Sequence, residues 1–195
     1  GQSPGYVTVT TQSWAPSHTI KTRGEFLKVS RDFIRSAPRP TLLGAPAYEP
    51  QVLAANSTST RRDERVECRI RIEVGQDLDY VMIECPKPGG CEPVNPLSGW
   101  DTTLRSLLPG DPQGGLPDRF SAGRSLYREE HPDRSVFFLH HLPAGTWELR
   151  YTLRATFAGD YRALPVVAQA MYAPVVSANT DARRMVIQPA SGEPR

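Results

Sequence analysis

Lysine is nearly missing from this chain. Of its 23 basic side chains only Lys21, Lys28 and Lys87 are lysines, and the rest are arginine. That bias follows base composition as readily as function and carries no weight here. Charge of one sign is also lacking: the net charge is +2, which gives no global electrostatic draw toward nucleic acid. No stretch approaches the roughly 20 apolar residues that cross a bilayer, so direct membrane insertion is not expected. No charged n-region and apolar h-region open the chain, and the start Gly-Gln-Ser-Pro reads as a boundary cut from something longer.

Reactive side chains are few as well. The four histidines are His18, His131, His140 and His141. His140 and His141 are adjacent on an expected strand and point to opposite faces, so they do not share a metal. No metal-ligand spacing, nucleophile elbow or glycine-rich phosphate loop is present, and no cofactor is expected. A Ser-His-Asp arrangement is spatial and stays open at this stage. Glu129 and Glu130 lie beside Arg128 and Arg134, which favours ion pairing over acid–base work. Asn56-Ser57-Thr58 fits a glycosylation sequon of a kind common by chance.

What the sequence has is β pattern. Val66, Cys68, Ile70, Ile72 and Val74 alternate with charged residues, as in a strand with one wet face. Gly75 to Asp79 is turn-rich, and Tyr80 to Cys85 returns as the next strand. Ser135 to Leu139, Gly145 to Phe157, Leu164 to Tyr172 and Arg183 to Gln188 read as further strands. Short strands punctuated by Pro and Gly, in a chain of 195 residues, predict one antiparallel β-sandwich. One segment differs: Trp100, Leu104, Leu107 and Leu108 fall at helical spacing before Pro109-Gly110, which predicts a short amphipathic helix packed on the sheet. Residues 110–123 are read as a polar Gly/Pro-rich loop, and Ser36 to Thr60 as a proline-bearing insertion or irregular edge.

Arg61, Arg62, Arg65, Arg69 and Arg71 are interleaved with Asp63, Glu64, Glu67 and Glu73, the pattern of a salt-bridged surface and not of a nucleic-acid stripe. A carbohydrate- or surface-binding module would need an aromatic platform, and the only tryptophans are Trp14, Trp100 and Trp147. Trp147 alternates with Leu149 and Tyr151, as on one packed face of a strand.

Several segments together resemble one family. They are Asp79 to Asn95 with its Pro/Gly turn between Cys85 and Cys91, then Tyr127-Arg-Glu-Glu-His-Pro-Asp-Arg-Ser-Val-Phe-Phe138, and Leu142-Pro-Ala-Gly145. Tyr151 to Thr156, Leu164-Pro165 and Ala170 to Pro174 follow in the same order, and Phe26 to Ile34 resembles the family's first strand. The order is similar to that of the C-terminal macroglobulin-like (receptor-binding-like) domain of bacterial alpha-2-macroglobulins. Tyr127, Arg128, Glu129, Asp133 and Arg134 match the family's signature, and a structural Arg–carboxylate role is expected for them. His131-Pro132 departs from it, standing where an ordinary strand residue is expected.

The resemblance implies a non-catalytic domain of a protease trap. Its partners are the thioester domain and a neighbouring β-module of the same parent chain, and proteases are met only through the full-length trap. It also implies a periplasmic, envelope or secreted location. Residues 1–24 are then a linker with a strand of the preceding module (Tyr6 to Thr11), 25–188 the sandwich, and 189–195 a disordered tail. The family's thioester motif, Cys-Leu-Glu-Gln or Cys-Gly-Glu-Gln, is absent, so none of Cys68, Cys85 and Cys91 is expected to be a reactive thioester cysteine. An oxidising location leaves three arrangements of these thiols open: Cys85–Cys91 across the turn, three free thiols, or Cys68–Cys85 opposed across a hairpin.

Overall fold

The computed structural model describes residues 9, 11, 13–39, 47–53, 58–94, 102–107 and 126–190. The expected strand Tyr6 to Thr11, the loop 110–123, Trp100, Leu108 and the end of the tail lie outside them, residues 9 and 11 aside. Among the described residues fourteen strands follow in chain order: β1 (Leu27–Arg39), β2 (Ala47–Val52), β3 (Thr58–Arg61), β4 (Arg65–Val74), β5 (Leu78–Pro86), β6 (Cys91–Pro93) and β7 (Thr103–Ser106), then β8 (Leu126–Glu130), β9 (Arg134–Leu142), β10 (Gly145–Ala155), β11 (Gly159–Ala163), β12 (Val167–Ala170), β13 (Ala173–Asn179) and β14 (Arg183–Gln188).

The strands build two facing sheets and a small third one. The first runs β2-β1-β4-β10-β6, with β7 also paired to β10, and the second runs β13-β12-β5-β9-β8. In the third, β14 lies between β11 and β3 and is parallel to β3. The alternation read from β4 is realised: Val66, Cys68, Ile70 and Ile72 are wholly buried and Val74 nearly so. In register with them on β10 stand Leu153, Tyr151, Leu149 and Trp147, all buried on the same face. Val81, Ile83 and Cys85 of β5, with Phe137 and Leu139 of β9, close the core from the second sheet.

The turn after β4 does not make a hairpin. β4 pairs with β1 and β10, whereas β5 pairs with β9 and β12. Gly75 to Asp77 therefore carries the chain from one sheet to the other, and Cys68 and Cys85 meet across the sandwich instead of side by side in a ladder. The crossing is fixed at its end, where Asp77 Oδ1 accepts from the Ala144 amide at 2.8 Å.

The amphipathic helix is not formed over the described part of its segment. Thr103–Ser106 is a strand, with Leu104 opposite Leu149 and Arg105 opposite Glu148. Among the described residues the only helical turn is a 3-10 turn at Ser17–Thr19. The region of Ser36 to Thr60 also holds more order than its prolines suggest. β2 pairs with the second half of β1, setting Ser36 against Pro50. β2 is the sheet's edge, and an edge strand tolerates a residue that lacks a donor.

Candidate functional site

The most unusual chemistry of the fold lies in the middle of the sandwich. On β1 the inward positions are Leu27, Val29, Arg31 and Phe33, so a guanidinium occupies a place in an apolar row. Arg31 is 1% exposed. It makes no ion pair with a carboxylate among the described residues, and its charge is met by oxygen and sulfur. Nη2 donates to the carbonyls of Ala163 (3.2 Å) and Leu164 (2.9 Å), and Nη1 to that of Pro86 (3.2 Å). Nη1 also lies 4.0 Å from Cys85 Sγ, and the guanidinium carbon sits 5.1 Å from the centre of the Phe33 ring.

Cys85 is the hub. Its Sγ accepts from the Tyr151 hydroxyl at 2.9 Å and lies 4.0 Å from Cys68 Sγ. Cys68 and Cys85 are wholly buried and Tyr151 almost so. Burial works against ionising the Cys85 thiol, but the Cys68 thiol, the Arg31 charge and the Tyr151 hydroxyl outweigh it and lower its pKa. Burial, then the neighbouring Cys85, raise Cys68 well above an ordinary thiol, and burial followed by the two cysteines does the same to Tyr151. Cys91 is elsewhere: its Sγ packs 3.6 Å from Met185 Sδ, and burial first, then Glu92, push it up to about 12. All three cysteines are free thiols in this structure.

The Tyr127 to Arg134 residues form a hairpin. Glu130 pairs with Ser135, and His131 N donates to Arg134 O at 2.8 Å, so His131-Pro132 occupies the turn where a proline is admitted. Arg128 points inward from the edge strand β8. It lies over the Phe137 and Tyr151 rings at 5.6 and 5.1 Å, pairs with Glu130, and donates to Thr102 Oγ1 at 2.7 Å. An inward-pointing charge on an edge strand also discourages pairing with another chain. Tyr127 is exposed beside Phe138, Glu129 faces His131 at 3.5 Å, and Asp133 pairs with Arg134 at 3.3 Å. His140 stacks edge-on against Tyr80, while His141 bonds Asp79 at 2.7 Å. Among the described residues no group of three or more His, Cys, Asp or Glu could hold a metal.

The mixed-charge face of β4 is salt-bridged. Arg69 pairs with Glu67 at 2.9 Å, and Arg69, Arg105 and Arg150 converge on Glu148, whose side chain is almost fully buried. Trp147 is buried, its indole donating to Pro143 O at 2.8 Å, while Trp14 is exposed at 94%. The described indoles do not share a surface, and Trp100 lies outside the described residues.

The site missed in the sequence is Arg31, along with its ties to Cys85 and to the carbonyls of β5 and β11. Its one trace in the sequence is parity, since Arg31 falls in the row of Leu27, Val29 and Phe33, and its charge masks that trace.

Two facing antiparallel sheets that share one core define a β-sandwich domain. The family model described as the bacterial alpha-2-macroglobulin MG10 domain matches residues 27–174, and the chain belongs to that family. The structure is similar to that of native Escherichia coli alpha-2-macroglobulin spanning domain MG7 to the C-terminus. That likeness has TM-score 0.59 at 16% identity and covers 89% of this chain and 25% of that one. Salmonella alpha-2-macroglobulin reacted with methylamine is similar at TM-score 0.60 and 19% identity, over 89% of this chain and 10% of that one. The native conformation of the Escherichia coli protein gives 0.58 and 15%, over 90% and 10%. This chain thus spans between a tenth and a quarter of these three chains. No curated protein matches the sequence.

Proposed function

We propose that this chain is a non-catalytic domain of a bacterial alpha-2-macroglobulin-like protease trap. In this reading it works inside a longer parent chain in the periplasm or cell envelope. It packs near the thioester domain and a neighbouring β-module, and it shifts when the trap is sprung. The observation that carries the reading is the family match, which runs from the first residue of β1 into β13. The chemistry of the sandwich agrees with it. The Arg31 Nη groups and the Tyr151 hydroxyl are engaged with backbone carbonyls and with Cys85, and the cysteine–arginine–tyrosine cluster is buried.

A contact face is available at one end of the second sheet. Tyr80, held at φ 54, stacks with His140 and with Tyr172, and Tyr172 is 79% exposed. An exposed aromatic group on a left-handed residue suits a surface shaped by a neighbour, since such backbone costs energy for a non-glycine residue.

The test uses the domain and its parent side by side. The 195-residue chain alone should leave endopeptidases fully active on a large protein substrate. The parent should protect that substrate, and the parent lacking residues 27–174 should not. Stoichiometric inhibition by the 195-residue chain alone would overturn the reading.

A further inference from the structure

We propose that Cys68 and Cys85 form a disulfide that ties the two sheets of the sandwich together. The geometry is close to that of the bond. Their sulfurs are in contact at 4.0 Å, so closing a disulfide of about 2.05 Å needs each to move by roughly 1 Å. They belong to different sheets, on β4 and β5, each strand having a neighbour on both sides. Neither sulfur has a competing cysteine. Cys91 stands opposite Ala155 on β10 while Cys68 stands opposite Tyr151, four residues or about 13 Å along the same strand. The Cys91 sulfur instead packs on Met185.

The surroundings select Cys85 as the more polar of the two sulfurs. Tyr151 donates to it at 2.9 Å, and Arg31, a buried cation with no carboxylate partner among the described residues, lies at 4.0 Å. Both contacts come from the sheet that carries Cys68, so they draw the two sheets together at this point.

The oxidant is a disulfide, either a small molecule or another protein. One of the two cysteines, as thiolate, attacks its S–S bond, forming a mixed disulfide and releasing one thiolate. The other, having given up its proton, then attacks the protein sulfur of the mixed disulfide. The Cys68–Cys85 bond forms, the second thiolate leaves, and the oxidant has taken two electrons and two protons to become two thiols. Because both sulfurs are sealed from solvent, the exchange takes place before the sheets close, and closure then protects the bond. The proposal does not depend on the protease-trap reading.

The 195-residue chain is refolded in a buffer of reduced and oxidised glutathione, alkylated under denaturing conditions without reductant, and digested with trypsin. Cys68 falls in the peptide Val66–Arg69, and Cys85 and Cys91 share the peptide Ile72–Arg105, since Lys87-Pro88 resists cleavage. The expected product is these two peptides linked, with the alkyl group located on Cys91 by fragmentation. The oxidised chain should also melt about 5–10 °C above the reduced one, and Cys91→Ala should keep that gain. Three alkylated cysteines, a link within Ile72–Arg105, or an alkyl group on Cys85 each overturn the proposal. No variant needs to fold for the peptide map to decide.

Discussion

Arg105 and Glu148 stand opposite one another in the β7–β10 ladder, with the arginine Nε 2.8 Å from the carboxylate. The pair fixes a segment whose spacing alone suggests a helix. Arg150 binds the same carboxylate at 2.6 Å, and Arg69 approaches at 3.5 Å. The carboxylate is thus buried among three arginines that are themselves partly wet.

The pH dependence of that cluster has a definite sign. Burial favours the neutral acid, but the hydrogen bonds from Arg150 and Arg105 outweigh it and hold Glu148 below 4.5. A depressed carboxyl adds stability above its unfolded pKa and loses it as pH falls through the folded value. Glu148→Gln should cost about 2–3 kcal/mol at pH 7, as loss of hydrogen bonds to a charged group does. The gap between variant and native chain should narrow below about pH 4.5. Urea melts at pH 7 and at the acid end measure both, and a gap that stays constant would remove Glu148 as its source.

The two leucines of that ladder separate core from cover. Leu149 is wholly buried, whereas its partner Leu104 is half-buried on the outermost strand. Leu149→Ala is expected to cost about 2–5 kcal/mol and Leu104→Ala about 1 kcal/mol. Equal costs in denaturant melts would mean that β7 is as much a part of the core as β10.

Gly90 is required by space. A Cβ there would lie 2.3 Å from Tyr161 Cε2 and 2.7 Å from the carbonyl oxygen of Phe157, and the second is backbone that cannot swing away. The amides of Thr156 and Phe157 both donate to the Gly90 carbonyl, so the turn is tied to the end of β10. Gly90→Ala should therefore destabilise the chain by about 1–3 kcal/mol, read as a lowered melting temperature. A neutral result would show that the turn relaxes freely.

Period-two alternation made β4 legible, because it buries one face and wets the other, and the Trp147, Leu149, Tyr151 row marked the packed face of β10. The Arg183 to Gln188 strand was legible for the same reason, with Met185 and Ile187 buried. β7 was not, since Leu104 and Leu107 satisfy a helical period as well as an edge strand, and a four-residue strand is too short to decide by pattern. β2 was hidden by Pro50, and the sheet change after β4 by a turn that would serve a hairpin equally well. Arg31 was hidden by its charge. An arginine in an alternating row reads as outward, and only the converging carbonyls of Pro86, Ala163 and Leu164 turn it inward.

Arg31 joins β1 to the end of β5 and to the segment after β11, and its removal tests that role. Arg31→Met keeps most of the volume and removes a buried charge, which favours the variant. It also leaves the carbonyls of Pro86, Ala163 and Leu164 without this donor, a cost of about 1–3 kcal/mol for a carbonyl that stays buried and less for one that water reaches. The three lost hydrogen bonds outweigh the relief, so a net loss of about 2–4 kcal/mol is expected. Arg31→Lys should recover only part of it, because a single ammonium cannot serve Pro86 and Leu164 at once as the forked guanidinium does. Urea unfolding of the reduced chain, with all cysteines free in native and variant alike, isolates this effect from any disulfide. If Arg31→Met proves as stable as the native chain, the desolvation of the guanidinium has cancelled its three hydrogen bonds, and the core would owe Arg31 nothing in stability.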